Sequence, residues 1–369
     1  VKRFGVIVAL GLAVLVTWLL LSQARHPSRD TADTTAAPAE TSAATPAPIA
    51  KRSPEHPDSA LEARLAAIVR SAPGRCAVSV KHLGTGAVAR VNADSAIPLL
   101  SVVKLPVALV VLDGVDHGRW TLTTPVTLIA QDMHPRGWLG DRYPRGGGHV
   151  SIYKLLTLML THSDNSSADV LMRLVGGPPV VTQWLKEHGI EGLRVDRTER
   201  GLGNDWYGLA PGADTAGSAE EIREQRSQVP AAVQDSAVRA MLVDPRDTGT
   251  ADACVQVLEQ LWKGDLLSPA MTDTLKSVLS RCRTAPHRLP WMLPRGTRVA
   301  RKTGTGGTWA GVTVAINDVG VVRMPNGEEV AIAVLIGEPR GPIRRAERVI
   351  ARVARTVYDA WSGDAPARP

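Results

Sequence analysis

The sequence predicts an α+β fold: an antiparallel sheet built from both chain ends, with flanking helices and an inserted all-helical subdomain. Three observations predict it. Two alternating apolar stretches, "CAVSVKHL" and "GAVARVNA", stand early in the globular part, separated by Gly84-Thr85-Gly86. Strand patterns return only near the C-terminus, in "TRVARKTGTGG", "GVTVAINDVGVV" and "EEVAIAVLIGE". Most of the chain between has helical spacing.

Taken in order, the chain opens with Lys2 and Arg3, then an apolar run from Phe4 to Leu21, then the small-residue stretch "SQA" at 22–24. Residues 1–24 therefore read as a signal peptide or a membrane anchor. Either one sends the protein to the periplasm or cell envelope. It is soluble there if the leader is cleaved and anchored through residues 4–21 if it is not. Residues 25–57 are rich in Ala, Thr and Pro without periodicity, and read as a disordered linker. Globular patterning fills 58–369. "SALEARLAAIVRSA" has the spacing of a helix, and the first strand pair follows it. "SIYKLLTLMLT" is a helix, and "THSDNSSADVLMRLVGG" begins with a break and continues as another. The last two strands turn through Pro325-Asn326-Gly327, and "RRAERVIARVARTVYDAW" closes the chain as a helix.

The net charge of +7 is basic. No Lys/Arg block interleaved with aromatics accompanies it, so nucleic acid is not an expected partner. Cys76, Cys254 and Cys282 are too few for a disulfide framework. Cys254 and Cys282 can pair in an oxidising compartment, which the sequence does not decide. The nine histidines show no metal-ligand spacing, so no metal is expected. His162, beside Ser163, is expected to pack or cap.

"LLSVVKLPVALVV" (99–111) is apolar apart from Ser101 and Lys104. Burying an ammonium is costly unless a partner holds it or a reaction uses it. Ser101 and Lys104 stand at i and i+3, on one helical face, and Pro106 favours a nearby helix start. A serine at a helix N-terminus sits where developing negative charge is favoured, and a lysine in an apolar wall can take its proton. Ser-x-x-Lys alone arises by chance in a chain of this length. Ser163-Asp164-Asn165 falls in the break between two helices, where Asp164 can serve simply as a cap. Lys302-Thr303-Gly304 lies on a strand running into Gly306-Gly307, which lets a ligand backbone lie along the edge.

In this order the three motifs form the signature set of the penicillin-interactive serine enzymes. From about Ser59 to the final helix the chain resembles the class A β-lactamases. It is most similar to their extended-spectrum branch of Bacteroides type, on "NDVGVVRMPNGEEVAIAV" and "LPRGTRVARKTGTGG". The resemblance implies a β-lactamase/transpeptidase-like fold, a monomer, no cofactor and a small-molecule β-lactam substrate. It implies Ser101 as acylated nucleophile, Lys104 as proton acceptor and Ser163 as relay to the leaving nitrogen. Asn165 would hold the substrate amide, and Lys302 and Thr303 its carboxylate. The backbone N–H groups of Ser101 and Thr305 would form the oxyanion hole. Arg288, fourteen residues before Lys302, matches a carboxylate-binding cation, with a surface arginine as the plainer reading. Trp138, in "HPRGWLGDRYP", matches an aromatic at the mouth of the site.

"RVDRTERGLGNDW" resembles the segment that releases the acyl group, with Glu199 activating water. Two departures stand out. The residue four after Glu199, which in the family helps to hold that water, is Gly203; Asn204 is adjacent. The Ω-loop ion pair of the family maps to Arg197 and Asp247, which are 50 residues apart. Residues 206–246 therefore read as an insertion in the Ω-loop. Ser218 and Glu221 form a capping-box pattern, and Pro230 suits a first helical turn, so two short helices beside the site are expected. The rival readings are a D,D-peptidase acting on peptidoglycan stem peptides and a non-catalytic binding module on the same fold.

Overall fold

The computed structural model describes residues 54–210 and 217–363. The expected leader, and the expected linker up to residue 53, lie outside the described residues. The main sheet has six strands: β1 (His56–Pro57), β2 (Arg75–His82), β3 (Ala87–Val91), β4 (Val299–Thr305), β5 (Ala315–Arg323) and β6 (Glu329–Gly337). Their order is β1-β3-β2-β6-β5-β4, so the two ends of the chain meet where β2 pairs with β6. All pairings are antiparallel except β1 on β3. Glu55 reaches Arg90 at 2.8 Å and Lys81 at 3.2 Å. Residues 55–57, read from sequence as linker, therefore belong to the folded unit.

Helices cover both faces, which is why β2, β5 and β6 are buried on both sides. On one face lie α1 (Ser59–Val69) and α12 (Ile343–Trp361). In α12 the residues Ala346, Val349, Ile350, Val353, Ala354 and Val357 form the buried stripe, and arginines take the other side. The opposite face carries α2 (Lys104–Asp116), α3 (Trp138–Arg142), α4 (Ile152–Thr161), α5 (Asn165–Val175), α6 (Pro178–Glu187), α7 (Glu199–Tyr207), α8 (Ala219–Ser227), α9 (Ala231–Leu242), α10 (Ala251–Lys263) and α11 (Pro269–Leu279). α2 runs through the middle of this layer and is buried nearly all round, as its unbroken apolar sequence requires.

The insertion folds into the two expected helices, α8 and α9. The Ser218 Oγ accepts from Glu221 N, and Glu221 Oε2 accepts from Ser218 N. Pro230 stands one residue earlier than expected, as the N-cap of α9. Cys76, Cys254 and Cys282 are all free thiols, so the Cys254–Cys282 pairing left open by the sequence is not formed. Burial pushes the Cys76 and Cys254 thiols up to about 12. Among the described residues no helix is long and apolar enough to cross a membrane.

Candidate active site

Ser101 lies on a short 3-10 turn, Leu100–Val103, that runs directly into α2. Lys104 is fully buried at the first turn of that helix. Its Nζ lies within hydrogen-bonding distance of Ser101 Oγ (3.1 Å), Ser163 O (2.8 Å), Ser163 Oγ (3.3 Å) and Asn165 Oδ1 (2.5 Å), which share its three N–H groups, and 3.2 Å from Glu199 Oε1. These oxygens offset the desolvation of the ammonium. Lys302, also fully buried, donates to Ser163 Oγ at 3.0 Å from the other side. Ser163 thus stands between the two amines. Burial, and then the neighbouring charge of Lys104, holds Lys302 down to about 7.

Backbone strain accompanies this convergence. Leu100 has φ +51° and Ser163 has φ +60°, both in the left-handed region that side chains disfavour. Each costs about 1–3 kcal/mol and persists only where the surroundings impose it. Next to Ser163, Asp164 caps α5 by accepting from Ser167 N and Ser167 Oγ, both at 2.7 Å. Next to Leu100, Asn317 Nδ2 ties Pro98 O and Leu99 O to the sheet. Gly304 is required there as well, since a Cβ would lie 2.4 Å from Leu99 O.

Glu199 opens α7, capped by Thr198, whose Oγ1 accepts from Gly201 N at 3.0 Å. Asp169 of α5 accepts from Glu199 N (2.7 Å) and Arg200 N (2.9 Å), and its Oδ2 meets His134 Nε2 at 2.7 Å. Asp169 and His134 were not foreseen. Asp169 stands one turn after Asn165 on α5, and that spacing was the available signal.

Arg197 bonds Asp247 at Nε and Asp205 and Asp244 at Nη1, at 2.5, 2.6 and 2.9 Å. Asp247 also accepts from the amides of Asp196 (2.6 Å) and Arg197 (3.1 Å). The insertion therefore leaves and rejoins the Ω-loop at one buried cation. Asp247→Ala strips the guanidinium of one carboxylate and leaves two amides without their acceptor. We expect a loss of about 3–5 kcal/mol, read as a lower midpoint in denaturant unfolding.

The remaining expected residues divide. Ser101, Asn165, Glu199 and Thr305 line one cavity of about 270 Å³ with Trp206 and Met241. Arg288 is not on the surface. It is buried, donating to Gly304 O, Asn317 O and Thr305 Oγ1, and that burial pulls its guanidinium below the ordinary arginine range. It touches the cleft only through Thr305. Thr303 is buried, with its hydroxyl 2.6 Å from Thr284 Oγ1, so that hydroxyl is already engaged away from the cavity. Trp138 does not line the cavity. It is 46% exposed at the start of α3, with the Lys154 ammonium 4.7 Å from its ring centroid. His162 ends α4 and meets Thr161 Oγ1. Among the described residues no group of three or more His, Cys, Asp or Glu is placed to hold a metal ion.

On this frame, a serine hydroxyl within reach of a buried lysine is the working part of a serine hydrolase, and the protein is of that class. Residues 60–361 match the beta-lactamase enzyme family, and the chain belongs to it. The extended-spectrum beta-lactamase PER-1 of Pseudomonas aeruginosa is 30% identical over 273 residues, covering 73% of this chain and 76% of that protein. A beta-lactamase of Bacteroides uniformis is 26% identical over 279 residues, covering 74% and 82%. The crystal structure of the TLA-1 extended-spectrum beta-lactamase superposes with a TM-score of 0.68 at 27% identity, covering 82% of this chain and 99% of that one. These relatives bear out the class A resemblance and its Bacteroides-type branch.

Proposed function

We propose that the protein is an exported β-lactamase that opens the lactam amide through an ester on Ser101 and clears that ester with Glu199. One observation carries the reading: a single buried ammonium, Lys104, lies within 3.3 Å of Ser101 Oγ, Ser163 Oγ and Glu199 Oε1. In acylation Lys104, in its neutral amine form, takes the proton of Ser101 as the Ser101 oxygen bonds the lactam carbonyl carbon. The ring C–N bond breaks, and Ser163 hands a proton to the departing nitrogen and recovers one from Lys104, which ends as the neutral amine again. The amides of Ser101 and Thr305 hold the oxyanion. In deacylation Glu199 takes a proton from water, the water oxygen attacks the ester, and Ser101 recovers its proton as the acid leaves. Glu199 suits the task because its Oε1 is buried and accepts no well-formed hydrogen bond among the described residues.

Steady-state turnover of nitrocefin tests the reading. Sustained hydrolysis is the expected result. The D,D-peptidase reading draws on Gly203, which leaves the turn after Glu199 without a side chain; it predicts a stoichiometric burst that stalls. The binding-module reading predicts no acylation.

Lys302 gives the pH dependence. Its ordinary value is 10.5, and burial, followed by the charge of Lys104, lowers it to about 7. Below about pH 7 the free protein presents an ammonium to a substrate carboxylate; above it that charge is lost. KM for carboxylate-bearing substrates is expected to rise with pH through about 7, and Lys302→Arg is expected to hold KM flat across the same window. The stability sign follows from linkage. Between about 7 and 10.5 the unfolded chain binds a proton that the folded one does not, so the cost of burying this group is full below about pH 7 and falls as pH rises to about 10.5.

A further inference from the structure

We infer that Trp206, Asp235 and Met241, from the described part of the insertion, strap the cavity that Ser101 shares with Glu199 and fix the size of acyl group the enzyme accepts. The inference rests on the proposed acyl-enzyme reading.

A carbonyl carbon bonded to Ser101, with its carboxylate toward Lys302, sends its acyl substituent in the opposite direction. In that direction lies the cavity shared by Ser101, Asn165 and Glu199, which does not include Lys302. Its apolar lining includes Leu202, Trp206, Met241 and Val314. Trp206 begins the insertion and Met241 lies near its end.

Two contacts join the insertion to the opposite wall. The Trp206 ring rests on Gly307, just beyond β4, where an added Cβ would lie 2.4 Å from Trp206 Cζ2. Further along, Trp309 Nε1 donates to Asp235 Oδ1 of α9 at 2.9 Å. The Glu199 side and the β4 side of the cleft are therefore bridged by residues of the insertion. The insertion also fills the space at Gly203: a Cβ there would lie 2.3 Å from Arg226 Nη2, which donates to Asn204 Oδ1 at 3.3 Å. An acyl group on Ser101 meets a cleft of about 270 Å³ that is open to solvent, small beside the usual range for drug-sized ligands. The chemical class this fits is a β-lactam with a compact, flat aromatic acyl group. Branched oxyimino acyl groups are disfavoured.

Two cephalosporins with the same nucleus and leaving group separate the cases, one with a thienylacetyl and one with an oxyimino-aminothiazolyl acyl group. The rate of acyl-enzyme formation with each is followed by intact mass in the full-length protein carrying Glu199→Gln, in which the ester accumulates. We expect this protein, with its insertion intact, to favour the thienylacetyl compound. Asp235→Ala, and Trp309→Phe, which keeps the ring and loses only the N–H, should shift the ratio toward the oxyimino compound by about tenfold. Trp206→Ala should shift it further. A ratio unchanged in all three variants overturns the strap while leaving the acyl-enzyme reading intact. No adduct with either compound in the Glu199→Gln protein overturns the acyl-enzyme reading, and the strap falls with it.

Discussion

Ser101→Ala is expected to abolish covalent capture of β-lactams and to lower turnover by about a million-fold, the scale seen when the nucleophile of a serine enzyme is removed. The substitution deletes one oxygen. Lys104 keeps Ser163 O at 2.8 Å, Asn165 Oδ1 at 2.5 Å and Glu199 Oε1 at 3.2 Å, so the buried ammonium stays satisfied and the fold has no reason to yield. Loss of activity with an unchanged unfolding midpoint assigns the effect to chemistry. Turnover within tenfold of the native protein would mean that another group attacks the carbonyl.

Glu199→Ala is expected to separate the two half-reactions. Acylation depends on Ser101, Lys104 and Ser163, which remain together. Deacylation loses its general base, a loss of about 10²–10⁴-fold. Nitrocefin should then give one equivalent of product followed by a near stop. Removing the carboxylate also takes a counter-charge from Lys104. Glu199→Gln serves as the control, since it keeps the shape and the contact but takes no proton from water. Both variants should accumulate the ester. If both turn over as the native protein does, water is activated elsewhere.

The sheet was legible because short apolar, β-branched runs bounded by turn residues are local signals, and β2, β5 and β6 carry them. The Ser101–Lys104 relation was legible because i and i+3 share a helical face whatever the fold around them. The capping box of Ser218 and Glu221 located α8 for the same reason. Other features depend on residues far apart in the chain. The engagement of Arg288 behind β4 arises from Asn317 and Thr305 on neighbouring strands, and nothing near Arg288 in sequence announces it. Asp169 holds the peptide of Glu199 from thirty residues earlier, by way of its place on α5. Arg226 answers Gly203 from another helix, so the missing side chain reads in sequence as a loss and in the structure as space occupied from elsewhere. Residues 55–57 looked like linker because their strand is two residues long and owes its place to Glu55 pairing with Arg90 and Lys81.

The claim on which the account stands is that one serine carries a transient ester which Glu199 clears. Time-resolved intact mass of the native protein mixed with nitrocefin, followed by peptide mapping, tests it most directly. The account predicts a single adduct on the peptide containing Ser101, short-lived in the native protein and persistent in Glu199→Gln. Hydrolysis with no adduct at any time in either protein, or an adduct on a different residue, would contradict it.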